Sequence, residues 1–168
     1  TWQCGTIQLD MSQPENFNLF YIDKDNQKHR PIMIHRTVFG SLERFLGILI
    51  EHFAGKFPLW LAPVQAVILP INDDLVPYAS EVTDIFKDAG LRAEIDSRTE
   101  SLNKKVREAQ LQYVPLIITI GGKEKEAGTL SVRTLDGKVT YGISHQTFLD
   151  TVGAHMEKRE LSLDLFGG

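Results

Sequence analysis

Residues 64–95 read Val-Gln-Ala-Val-Ile-Leu-Pro-Ile-Asn-Asp-Asp-Leu-Val-Pro-Tyr-Ala-Ser-Glu-Val-Thr-Asp-Ile-Phe-Lys-Asp-Ala-Gly-Leu-Arg-Ala-Glu-Ile. Val64 to Leu69 is a near-continuous apolar run, the pattern of a strand covered on both faces. Asp73 to Ala89 carries Leu75, Ala79, Val82, Ile85 and Phe86 at helical spacing, which predicts a helix with one core face, stopped by Gly90. Leu91 to Ile95 is a second strand. Strand, helix and strand in this order imply a parallel pair with a right-handed crossover.

Downstream, Ser101 to Gln112 predicts another helix and Val114 to Ile120 a third strand, so the alternation becomes βαβαβ. Thr129 to Thr134 and Lys138 to Ser144 read as a hairpin turned by Asp136-Gly137. A last helix is expected from about Gln146 to Lys158, N-capped by Ser144, followed by a tail to Gly168 that is loose at its end. The fold class is α/β, a mixed sheet with a parallel βαβαβ core and helices on both faces. Ligands of such sheets bind at the carboxyl ends of the parallel strands. The loops there carry Ile71-Asn72, Arg98-Thr99-Glu100 and Lys123-Glu124. Strand alternation turns Leu130 and Val132 one way and Ser131 and Arg133 the other, which puts Arg133 on the open side. Gly121-Gly122 after a strand reads as a turn, not a phosphate loop.

Upstream, Ala54 to Pro63 has two prolines, a glycine and no helical period, marking a boundary. Three regions are expected: 1–55, a linker at 56–63, and a domain at 64–168. Phe57, Leu59, Trp60 and Leu61 are too apolar for a free linker and are expected to pack the two domains together. Before the boundary, Thr6 to Leu9, Phe17 to Ile22 and Pro31 to His35 read as three antiparallel strands. They lead into a helix capped by Ser41, with Leu42, Phe45, Leu46, Leu49 and Phe53 as its core face. Arg44 lies in the first turn, the unfavourable end for a cation, with no carboxylate three or four residues away. Gly40, the free amides of the helix start and Arg44 suit a phosphate. A carboxylate from a neighbouring element would satisfy Arg44 as well.

The 168 residues are 42% hydrophobic and 24% charged, ordinary globular material for one domain and part of another. No stretch approaches the ~20 apolar residues of a membrane span. Thr1 begins no signal peptide, and the absence of an initiator Met suggests an excised fragment. The single Cys4 fits a reducing compartment. The net charge of −4 argues against general nucleic-acid affinity, yet between Arg98 and Lys138 eight lysines and arginines face five carboxylates, a local excess of three. That island is compatible with an RNA footprint.

The stretch from His35 to Phe53 resembles motif 3 of class II aminoacyl-tRNA synthetases. Trp2-Gln3-Cys4-Gly5-Thr6-Ile7-Gln8-Leu9-Asp10 and Pro31-Ile32-Met33-Ile34-His35-Arg36 resemble the threonyl-tRNA synthetase family specifically. The resemblance implies threonine activation with ATP and charging of tRNA(Thr), in the cytoplasm, by a homodimeric parent of which this chain is a catalytically incomplete C-terminal piece. It implies that Gln3, Cys4, Thr6, Ser41 and Arg44 lie on ATP or the adenylate, with Mg accompanying ATP, and that Gln8 and His35 approach threonine. It makes His35 one zinc ligand, the others lying upstream; on its own chemistry a lone strand-end His is also a structural residue.

The second domain resembles the anticodon-binding domain shared by the threonyl, prolyl, histidyl and glycyl synthetases. The likeness implies that Glu124 and Arg133 read anticodon bases, and Ile71 and Arg98, in the loops at the same strand ends, are expected to bind the anticodon with them. On chemistry alone a Glu124–Arg133 surface pair is equally compatible. Leu102-Asn103 departs from the family's Ile-Gly or Leu-Gly pair. The competing function is a non-catalytic synthetase-like module that binds RNA or a protein.

Overall fold

The computed structural model describes residues 2–166. The chain divides into two units, up to His52 and from Phe53 onward.

In the first unit β1 (Thr6–Asp10) pairs antiparallel with β4 (Met33–Thr37), Thr6 opposite Thr37 and Gln8 opposite His35. The expected third strand of this sheet is not there. After β1, Asp10 Oδ1 accepts from the amides of Ser12 and Gln13 at 2.9 and 3.0 Å, starting α1 (Ser12–Asn16) and turning the chain away. The run ending at Ile22 contributes only β2 (Tyr21–Ile22), in a separate ribbon with β3 (Lys28–His29). The helix α2 (Leu42–Phe53) forms as expected, but none of its residues is buried. Leu42 and Leu46 of the predicted core face are exposed, and Phe45 and Leu49 only half-buried, because the first unit supplies no layer to cover that stripe.

The second unit is a five-stranded sheet in the order β6-β5-β7-β8-β9. The strands β5 (Ala66–Pro70), β6 (Ala93–Ile95) and β7 (Leu116–Ile120) are parallel, and β8 (Thr129–Thr134) and β9 (Val139–Ser144) complete the sheet antiparallel. On one face Ile68, Leu116, Ile118, Leu130 and Val132 meet α3 (Val76–Asp88) through Ala79, Val82 and Phe86, and α6 (His145–Glu157) through Phe148 and Val152. The Phe86 and Phe148 rings stack at 4.8 Å. On the other face Leu69 and Ile117 lie under Ala109 of α4 (Leu102–Leu111). The short α5 (Gly122–Ala127) follows β7.

Two expectations need correction. Ile85 is 47% exposed; Thr83 is buried instead, its hydroxyl donating to the Ala79 carbonyl at 2.7 Å. Leu59 of the expected linker is fully buried in the core of the second unit itself. Gln65 binds it there: its amide donates to the Leu59 carbonyl and its oxygen accepts from the Arg92 backbone, both at 2.9 Å. The tail is packed as far as Phe166. Leu165 is buried, Phe166 stacks on Phe148 at 6.0 Å, and His155 Nε2 lies 2.6 Å from the Ser162 carbonyl. The remainder of the tail, Gly167 and Gly168, lies outside the described residues.

Candidate functional site

Two groups of residues emerge, one in each unit. In the first, the polar face of the β1–β4 pair carries Thr6 with Thr37, their hydroxyls 3.2 Å apart, and Gln8 with His35. Gln8 and His35 line an open groove of about 620 Å³ with Asp10 and Gln13. His35 Nε2 lies 3.0 Å from Asp10 Oδ2. Hydrogen bonds from the Gln13 amide and the His35 ring hold the Asp10 carboxyl below the usual carboxylate range. Asp10 was not singled out from sequence, although its place two residues beyond Gln8 on the same strand face was readable.

The start of α2 comes next to the N-terminal segment. Gly40 has φ +69°, and a side chain there would lie 2.9 Å from the Cys4 carbonyl oxygen. What approaches Gly40 is thus the Cys4 backbone, where sequence had suggested a ligand, and the contact brings Cys4 beside Ser41. Ser41 Oγ accepts from the Arg44 amide at 3.3 Å and donates to Glu43 Oε2 at 2.8 Å. The exposed Arg44 has no ion-pair partner among the described residues, so the alternative of a neighbouring carboxylate is not realised there. Gln3 is exposed and Thr6 half-buried on the same segment. Among the described residues no three His, Cys, Asp or Glu side chains gather as a metal site. His35 offers one imidazole, oriented by Asp10 as carboxylates commonly orient ligating histidines.

In the second unit Glu124 sits on α5, not in a plain loop, at its third residue. Its carboxylate accepts from the Gly121 amide at 3.0 Å and the Ser131 hydroxyl at 2.8 Å. Burial pushes its pKa up, but these bonds, its own amide and nearby Lys123 outweigh that and leave it below the ordinary 4.5. Gly121 has no room for a side chain, because a Cβ would fall 2.8 Å from both Glu124 Oε2 and Ile71 Cδ1. That packing gathers Ile71 and Glu124 at the ends of β5 and β7. Arg133 lies on β8 two residues from Ser131, directly opposite Ile117, and donates to the Gly137 carbonyl at 3.3 Å. No Glu124–Arg133 ion pair forms among the described residues: Arg133 reaches the Gly137 carbonyl, and the Glu124 carboxylate, turned to Gly121 and Ser131 by one bond on each oxygen, keeps acceptor capacity for a further donor.

Arg98 and Ile71 line a groove of about 360 Å³ with Asn72, Thr99 and Ser101. The Arg98 guanidinium is clamped by Asp96, at 2.9 and 2.6 Å, and by Glu108 at 2.7 Å. These carboxylates raise its pKa further. Lys104 is paired with Glu100 at 2.6 Å. Lys105 is 4% exposed, with its ammonium on the Asp96 carbonyl at 3.0 Å, so it braces the loop after β6 from inside. Strand alternation places Ser131 beside Arg133 but gives it no role, and nothing in the sequence separates the buried Lys105 from its exposed neighbour Lys104.

Residues 65–155 match the family described as the anticodon binding domain, and residues 1–53 match the class II tRNA synthetase core domain of the G, H, P, S and T type. A threonine–tRNA ligase of Desulfosudis oleivorans is 69% identical over 159 residues, 95% of this chain and 25% of that protein. One of Thermotoga neapolitana is 47% identical over 166 residues, covering 99% and 26%. The crystal structure of the RNA binding domain of threonyl-tRNA synthetase from Cryptosporidium parvum Iowa II aligns with TM-score 0.81 at 34% identity, covering 91% of this chain and 39% of that one. The chain spans about a quarter of the length of the curated relatives it matches.

Proposed function

The chain belongs to the anticodon-binding-domain family, and from that premise we propose that it is the C-terminal part of a threonine–tRNA ligase, a cytoplasmic homodimer that activates threonine with ATP and charges tRNA(Thr). Residues 1–55 would close the catalytic domain, 56–63 connect it, and 64–168 bind the anticodon. No helix among the described residues is long and apolar enough to cross a membrane.

The carrying observation is the Glu124–Ser131 hydrogen bond. It holds an acceptor-only carboxylate on the sheet face that also bears Arg133. A splayed guanine presents acceptors to an Arg and N–H donors to a carboxylate, so the two residues are complementary to different base edges. Ile71, packed with Glu124 around Gly121, supplies an apolar floor on the Glu124 side. Arg98, held by Asp96 and Glu108, shapes the groove that would take an adjoining nucleotide.

In the first unit Arg44, without a carboxylate partner, would bind the ATP phosphates, aided by the helix start that Ser41 caps. Gln3, Cys4 and Thr6 would flank the adenylate, with Mg on the phosphates. Gln8 and His35 share the groove where threonine would lie. His35 would supply one donor to a zinc ion, which would serve as a Lewis acid for the threonine amino and hydroxyl groups; its remaining ligands belong to sequence outside these 168 residues.

The test is binding of a threonine-accepting anticodon stem-loop. Arg133→Ala should weaken it by about 1–3 kcal/mol and blunt discrimination against a changed anticodon base. Lys104→Ala should weaken all stem-loops alike and flatten the salt dependence. Equal loss for matched and mismatched anticodons with Arg133→Ala would reject base reading by that residue.

A further inference from the structure

The register of β8 and β9 breaks once. Leu130 faces Ile143 and Val132 faces Thr140, so the single residue Ser131 stands opposite two, Tyr141 and Gly142. Residues directly opposite share a face, and both flanking pairs point into the core. Tyr141 therefore emerges on the other face, with Ser131 and Arg133. Gly142 takes φ +72°, the left-handed conformation that lets the strand absorb the extra residue.

Tyr141 is 74% exposed, and no hydrogen bond or ring contact among the described residues involves it. A bulge on an edge strand blunts strand pairing, and that job needs no aromatic. Across the strand pair, Tyr141 is the immediate neighbour of Ser131, whose hydroxyl holds Glu124, and the diagonal neighbour of Arg133, about 7–8 Å away by sheet geometry. A flat, unpartnered ring thus stands beside the two groups that would read a base edge. Hydrogen-bonding groups read the edge of one nucleotide and leave the faces of its neighbours unsatisfied once the loop is splayed. An aromatic face is the usual partner for such a base.

We infer that Tyr141 is a stacking platform for the nucleobase adjoining the one contacted by Glu124 and Arg133, a binding role that rests on the anticodon reading above. The stacking contact is insensitive to base identity, so Tyr141 contributes affinity and orientation, and Glu124 and Arg133 contribute discrimination.

The experiment measures binding of the intact chain to the threonine-accepting anticodon stem-loop, and to versions with each anticodon-loop base in turn replaced by an abasic site. Tyr141→Ala should weaken binding about five- to tenfold, the low end for one stacked base. Tyr141→Phe should stay within about twofold, because the ring is retained. One abasic position should erase the Tyr141→Ala penalty while the others keep it, and the slope of affinity against salt should not change, because no phosphate contact is lost. The proposal is overturned if Tyr141→Ala binds like the parent chain, if Tyr141→Phe loses as much as Tyr141→Ala, or if every abasic stem-loop shows the same penalty. Where Tyr141→Ala is silent but Arg133→Ala still blunts discrimination, stacking alone fails. Where the parent chain shows no preference for the matched stem-loop, the anticodon reading fails and the platform with it.

Discussion

The two units carry comparable amounts of secondary structure relative to their length but hold it differently. In the second, Phe86, Phe148, Ile118 and Leu116 are fully buried between the sheet and its helices. In the first, Pro14 is the one buried residue among those described, and Ile7, Leu9, Ile34, Leu46 and Ile50 stand exposed on a strand pair and a helix that both have an apolar side. Local rules are obeyed in each: Ser41 caps α2 as Ser144 caps α6. Capping and periodicity are therefore enough to specify an element, whereas burial is what fixes it in a stable layer. The site residues follow the same division. Glu124 is held by a core-facing sheet, while Gln8 and His35 sit on a two-stranded ribbon of a kind that is marginal alone.

The sharpest way to break this contrast is amide hydrogen exchange on the 168-residue chain. Amides of Ile117 and Ile118 should open only with global unfolding, and those of Ile7 and Leu9 should exchange through local opening near zero cost. Equal, strong protection of both would mean the first unit has found a cover. Core deletion should follow the same line. Phe148→Ala should cost about 3–5 kcal/mol in urea denaturation, and Leu46→Ala less than about 0.5 kcal/mol. A Leu46→Ala cost above about 2 kcal/mol would show that α2 is packed in solution.

Smaller, but specific to the second unit, is Gln65. Its side chain joins the Leu59 carbonyl to the Arg92 amide and is 1% exposed. Gln65→Leu leaves both backbone groups unpaired and should cost about 1–3 kcal/mol, detectable as a lowered urea midpoint with unchanged slope. An unchanged midpoint would detach the 56–63 segment from the stability of the sheet.

Much of this was legible in the residues. The apolar run at Val64–Leu69 has the pattern of a strand covered on both faces, Val114–Ile120 continues the strand–helix alternation, and the Asp136-Gly137 turn sets the hairpin. What escaped reading depends on partners distant in sequence. Nothing local to Phe17–Ile22 reveals that Asp10 starts a helix turn which diverts the chain, nor does a Lys-Lys pair reveal that Lys105 is the buried one. The freedom of Gly40 is legible, but the group that exploits it is the Cys4 carbonyl 36 residues earlier. Of the site, alternation placed Arg133 with Ser131; the commitment of Arg98 to Asp96 and Glu108 required the fold.

The smallest expected effect concerns the acid limb of stability and separates the two candidate acidic residues. Glu124 has a folded-state pKa below the ordinary 4.5, despite burial pushing the other way, because Ser131, its own amide, Gly121 and Lys123 favour the carboxylate. A depressed pKa means that the folded state holds its proton less tightly than the unfolded chain. The stabilisation is therefore complete above the unfolded value and disappears as pH falls through the folded one. Ser131→Ala removes the strongest of the favourable contacts and leaves burial in place, so the Glu124 pKa should rise. The acid unfolding of the second unit should then begin at higher pH, with little change near neutrality beyond the lost hydrogen bond. Asp10 is also depressed, by the Gln13 amide and His35, but it lies on the exposed ribbon of the first unit. His35→Ala should raise the Asp10 pKa, seen by NMR titration of its carboxyl carbon, without moving the acid unfolding of the sheet. If His35→Ala shifts that unfolding as much as Ser131→Ala does, the units are energetically coupled and the contrast between them fails.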